Sequence, residues 1–420
     1  MSKPTLEQCI TFHKEEDPEM QQGPIIVPGL NTYAYGINRQ SDDKGFIRPD
    51  RLSLDEIEAN LFLPQLDADI LQVELAEDIF ENPEKPGIFN GLDFQGEFPG
   101  WLQERVDLIK RLAQKYDLKI QGTGTGQFLY TRMLALDKTG HLEFDVLQQT
   151  KATRAYRNLI RCADAVGGRT VGGHRVLTAF PERHMTTYSI NQWAGHFGWK
   201  LPDKVDSSVN ITEAEALNIQ TAIALNRNDY GISSTTELMY QHDGMAPVGI
   251  DQMNRMHRII QTNSPCQVYA HMDIGHVAVG ADGPKQAGDY DLAAYAREVV
   301  WPAWIVHFNS LYDNAHGMPT SENVQRDLNV RDEKEGTNKS PHPELYCDVY
   351  QDWLIPTAER TRVMQLTPEP KDTKDVSKLV REAKETYGLI YGCFAETHTD
   401  VSGYLVPNTM VNQFKQTFGI

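Results

Sequence analysis

No apolar run in this 420-residue chain approaches the ~20 residues needed to cross a bilayer. The first twenty residues, MSKPTLEQCITFHKEEDPEM, lack the apolar stretch of a secretory signal. Both absences argue against a membrane partner and lead to the expectation of a soluble, cytoplasmic protein. Cysteine is scarce: Cys9, Cys162, Cys266, Cys347 and Cys393 are odd in number, scattered, and without a two-residue spacing. That excludes a zinc knuckle or a dithiol redox motif and predicts free thiols in a reducing compartment. Positive charge is also short, with 40 Lys and Arg against 58 Asp and Glu, a net −18, and no basic run. A phosphate backbone needs a field of cations, so nucleic acid is not an expected partner. Low-complexity tracts are absent, and a hydrophobic fraction of 40% is enough for a large core.

What is present is a rhythm of short apolar runs separated by longer stretches of helical period, the pattern of βαβ units and a parallel sheet. Strands are expected at Ile25 to Leu30, Ile70 to Leu75, Leu118 to Gln121, Arg169 to Val176, Gly231 to Leu238, Gln267 to Met272, Trp304 to Phe308 and Leu389 to Glu396. Helices are expected at Gly100 to Tyr116, Thr153 to Val166, Thr212 to Leu225, Asp251 to Thr262, Leu292 to Val299, Val376 to Tyr387 and Asn408 to Phe418. Gly167-Gly168 suits a left-handed helix end, and Thr212-Glu213-Ala214-Glu215 has capping-box spacing. Eight such strands predict a (β/α)₈ TIM barrel over residues 1–420. That length exceeds the ~250 residues of a bare barrel but is compatible with insertions. Two stretches without period, near 178–210 and 310–343, are expected to be those insertions on βα loops. The first contains the aromatic segment Tyr188 to Trp199, which suits a lid, a packing insertion or an oligomer contact.

Barrel enzymes place their chemistry where strands end at the carboxyl rim. In this reading the second strand ends near Glu74, the fourth at His174, the fifth at Glu237 and the sixth at Asp273, with His276 three residues on. The seventh carries His307 and the eighth Glu396. Each has a bland alternative: an ordinary hydrogen-bonded polar residue or, for Asp273, a helix cap. Jointly they are harder to dismiss, because ionisable groups in a barrel interior are costly unless paired or metal-bound.

These residues resemble the xylose-isomerase-like TIM-barrel superfamily, which includes sugar isomerases and epimerases, inosose dehydratases and endonuclease IV type enzymes. His271-Met272-Asp273-Ile274-Gly275-His276 resembles the family's Asp-x-x-His strand end. Val306-His307-Phe308-Asn309-Ser310 is similar to the histidine strand after it, and Phe394-Ala395-Glu396-Thr397 to the closing glutamate strand. Thr236-Glu237-Leu238-Met239 and Gly172-Gly173-His174 fit the fifth and fourth. The strand order matches over about Ile25 to Thr397, the motifs only from about Arg169 onward.

The resemblance implies one divalent ion held by Glu237, Asp273, His307 and Glu396. Three carboxylates and one imidazole would favour Mn²⁺, with Mg²⁺, Co²⁺ or Fe²⁺ as alternatives. His174, His276 and Glu74 would contact a small carbohydrate substrate, and the chain would assemble as a homo-oligomer. The implied reaction is isomerisation or epimerisation of a ketose or aldose, with Glu237 and Glu396 moving protons through a metal-bound enediolate. A metal-dependent dehydratase of an inosose-like polyol stays open, because the leaving group belongs to the substrate. So does a non-catalytic barrel used for binding or assembly. Two departures count against a three-metal phosphodiesterase. The third strand runs into Thr123-Gly124-Thr125-Gly126 rather than a histidine, and His342 has no aspartate two residues before it. A two-metal hydride shift would require a further carboxylate, for which Asp313 is the candidate.

Overall fold

A computed structural model describes residues 25–31, 40–41, 47–48, 54–58, 62–63, 72–80, 91–124, 134–136, 142–144, 146–173, 222–224, 230–237, 250–264, 268–273, 303–307, 363–367 and 381–382. In chain order these carry strands β1 (Ile25–Asn31), β2 (Gln40–Ser41), β3 (Ile47–Arg48), β4 (Gln72–Ala76), β5 (Lys119–Gly124), β6 (Leu134–Leu136) and β7 (Leu142–Phe144). They continue with β8 (Thr170–Gly173), β9 (Ser233–Glu237), β10 (Tyr269–Asp273), β11 (Ala303–His307) and β12 (Val363–Thr367). The helices are α1 (Leu54–Ile57), α2 (Gly100–Tyr116), α3 (Val146–Ala165) and α4 (Ile250–Asn263).

Eight strands pair in the order β1-β12-β11-β10-β9-β8-β5-β4, and this order closes into a barrel. β1 pairs in parallel with both β12 and β4, so the ring has no free edge. The other two sheets are short antiparallel pairs, β2 with β3 and β6 with β7. Seven of the expected strands fall on barrel strands within a few residues. The eighth does not. The last barrel strand is Val363–Thr367, which pairs with β11 and β1, and the expected segment, Leu389 to Glu396, lies outside the described residues. VMQLT carries Gln and Thr among its five residues and is followed by Pro368-Glu369-Pro370. The more apolar LIYGCFAE drew the assignment away from it. The two insertions near 178–210 and 310–343 also lie outside the described residues.

Helix α2 has its expected bounds because Leu102, Val106, Ile109, Leu112 and Ala113 recur on one face and are buried. Buried Arg105 donates to the carbonyl of Ile79 at 3.2 Å, fastening the helix to the turn after β4. Helix α3 begins seven residues earlier than expected. Thr150 and Thr153, residue types that favour helix ends, lie inside it instead. It ends as the glycines predicted: Gly167 has φ +84°, and the amides of Gly167 and Gly168 reach the carbonyls of Asp164 and Ala163 at 2.9 and 2.7 Å. Cys162 on α3 is a buried free thiol whose pKa is raised by burial, so it stays protonated and inert. No helix among the described residues is long and apolar enough to cross a membrane.

The packing of α3 fixes which way β9 faces. Tyr156 on α3 donates its hydroxyl to the carbonyl of Val171 at 3.2 Å and lies 3.5 Å from Ser234 Oγ. Ser234 therefore faces the helix layer, and strand alternation turns Ser233, Thr235 and Glu237 into the barrel. β9 has the sequence SSTTE, and four of its five residues are buried. It is a wholly polar strand inside a closed sheet.

Candidate metal centre

β9, β10 and β11 are consecutive parallel strands, so their carboxyl ends share one rim. Glu237 closes β9, Asp273 closes β10 and His307 closes β11. In register, His271 stands beside Glu237, and Asp273 stands beside His307. Glu237, His271 and His307 are 3%, 1% and 2% exposed. Each offers one ligand atom to a group whose members lie within 4.8 Å of one another.

The internal geometry is specific. The Nε2 atoms of His271 and His307 are 2.9 Å apart, and the two rings meet edge to face at 87° with centroids 4.1 Å apart. At that separation one Nε2 carries the proton and the other accepts it. The His307 Nδ1 lies 3.7 Å from Glu237 Oε1, an ion-pair distance but longer than a hydrogen bond. An ionised carboxylate at this depth is stabilised by hydrogen bonds and by a positive neighbour, a role open to an imidazolium or a bound cation. Two imidazoles and one carboxylate converging from three rigid strands fit a divalent first-row ion on donor chemistry alone.

Of the residues expected from sequence, Glu237 and His307 are brought together. Asp273 has the expected place in the chain, at the end of β10 and in register with His307. Glu74 lies on β4, which is four strands from β10 in either direction around the ring and therefore across the barrel mouth. His174, His276, Asp313 and Glu396 lie outside the described residues. The described strand that pairs with β11 and β1 ends at Thr367, and the segment that carries Glu396 is outside the described residues. His271, which joins the cluster, was not among the residues expected from sequence. The signal was available: it precedes Asp273 by two residues, and strand alternation puts both positions on one face. The Asp-x-x-His spacing pointed forward to His276 instead.

No family model matches the chain, and no curated protein matches it. Among solved structures it is similar to an L-ribulose 3-epimerase, at 11% identity over 85% of this chain and 86% of that one, with a TM-score of 0.45. It is similar to the D-psicose 3-epimerase from Clostridium cellulolyticum H10, at 9% identity over 85% and 95%, with a TM-score of 0.44. A D-allulose 3-epimerase from Methylomonas sp. is similar at 12% identity over 87% and 96%, with a TM-score of 0.48. At these values the likeness carries no functional argument.

Proposed function

We propose that the chain is a divalent-metal-dependent isomerase or epimerase of a sugar or sugar-like ketose or aldose, built as one complete (β/α)₈ barrel with loop insertions. The observation that supports it most is the convergence of Glu237, His271 and His307, all buried, at the carboxyl rim of three neighbouring strands. A non-catalytic barrel has no physical need for such a cluster. The sugar substrate class rests on the Asp-x-x-His and glutamate strand-end motifs of the sequence.

Glu237 and His307 would hold the ion, with Asp273 completing the set from the neighbouring strand end. When bound, the ion would supply Lewis acidity toward a substrate carbonyl. The protein's own part is proton movement and exclusion of water. The Glu237 carboxylate is anchored at the end of a rigid strand and kept from bulk solvent, which suits a base that takes a proton from the carbon beside a carbonyl. His174, His276 and Glu74 are the proposed substrate contacts, the last on a strand of the opposite wall. Epimerisation needs a second proton carrier. Glu396 is proposed for that role by residue type.

The test is turnover of a panel of ketoses, aldoses and inososes in D₂O, with the protein stripped by chelator and then reloaded with divalent ions. The expected result is interconversion only in the loaded protein, with deuterium on the carbon next to the carbonyl. Glu237→Gln keeps an oxygen but loses the base, so turnover should fall by ~10²–10⁴-fold with circular dichroism unchanged. A fully active Glu237→Gln variant, or no turnover of any carbohydrate by loaded protein, contradicts the proposal. Loss of water from an inosose would move the reading to a dehydratase.

A further inference from the structure

We infer that His271 is itself a metal ligand and that it sets the centre's selectivity, adding a second imidazole to an otherwise carboxylate-rich site so that it prefers Co²⁺, Fe²⁺ or Zn²⁺ to Mg²⁺ and Mn²⁺. The inference rests on the metal-dependent reading above and adds a residue and an ion preference that the strand-end motifs do not contain.

Three observations place His271 in that role. It stands in register beside Glu237, one strand over, so the carboxylate and the ring share one level of the barrel. Its Nε2 lies 2.9 Å from the Nε2 of His307, close enough for the two nitrogens to bind one ion once the proton between them is displaced. It is 1% exposed on a short strand flanked on both sides by barrel neighbours, which holds the ring without reliance on a loop.

The consequence for ion choice follows from ligand hardness. Carboxylates and carbonyls suit Mg²⁺ and Mn²⁺, whereas imidazoles suit Fe, Co, Ni and Zn, and affinity rises from Mn²⁺ toward the later ions. Adding a second imidazole to the set shifts it in that direction. A different role, in which His271 only orients His307, would leave the preference unchanged and alter affinity alone. Loss of such an outer partner typically costs 10–100-fold in metal affinity.

The experiment is metal binding by isothermal titration on the full chain after chelator stripping, with Co²⁺, Zn²⁺, Mn²⁺ and Mg²⁺ as separate probes. Wild type, His271→Ala and His271→Gln are compared. The expected wild-type result is one ion per chain with Co²⁺ and Zn²⁺ bound more than ~100-fold tighter than Mg²⁺, in line with donor preference. In both variants that ratio should collapse. X-ray absorption at the metal edge of Co²⁺-loaded wild type should count two imidazoles, and this readout stands even if a variant fails to fold. A ratio unchanged by either folded variant, or a single imidazole in the wild type, overturns the inference. If two imidazoles and the predicted preference are found but no carbohydrate turns over, the functional reading fails while this inference stands.

Discussion

Gly172 and Thr235 show how the site is supported from beneath. The two residues are register partners on β8 and β9, and Thr235 lies two residues before Glu237 on the same face. A Cβ added at Gly172 would come within 1.9 Å of Thr235 Oγ1 and 2.1 Å of the Thr235 carbonyl oxygen. The second contact is backbone, so no rotamer change relieves it. Gly172→Ala must therefore displace β9, at a cost of ~1–3 kcal/mol typical of overpacking. Urea unfolding should report that loss, and an unchanged midpoint would mean that the strands separate more easily than their register implies. At this scale, Glu237 was legible as the charged residue that ends its strand, and His307 as the polar residue that ends a short apolar one. His271 was visible in HMDIGH but was overshadowed by the Asp-x-x-His spacing beside it. Period-two alternation alone would have found it.

Helix α2 illustrates what is tolerated between site elements. Its C-cap, Asp117, sits at φ 52°, and its amide reaches the carbonyls of Ala113 and Gln114. A side chain in that left-handed region costs ~1–2 kcal/mol, which glycine avoids at a smaller entropic penalty. Asp117→Gly should stabilise the chain by ~0.5–1 kcal/mol and leave metal binding untouched. A lower melting temperature would show that the aspartate side chain offsets its own strain. Elements with a strong period, α2 and α4, were readable almost to the residue. The start of α3 was not, because Thr150 and Thr153 resemble caps while lying inside the helix. The eighth strand was not readable either. Five residues suffice to close a ring, and a strand that short with Gln and Thr in it has little apolar signal of its own. Closure is decided by what pairs with β11 and β1, which is a tertiary fact.

For the whole molecule, strand pairing is what forms the site. The cluster exists because parallel pairing of β9, β10 and β11 brings three strand ends to a common rim. The alternation set by α3 against β8 and β9 then turns Glu237 inward. A net charge of −18 makes the same rim a more natural host for a cation than for an anion. The central claim is that Glu237, His271 and His307 form a metal centre. Its most direct test is an anomalous-difference map from crystals of the full chain grown with Co²⁺ and measured at the cobalt edge. One strong peak per chain, in contact with the Glu237 carboxylate and both imidazoles, is the predicted result. Density for the three side chains with no peak between them, at saturating Co²⁺, would contradict the claim.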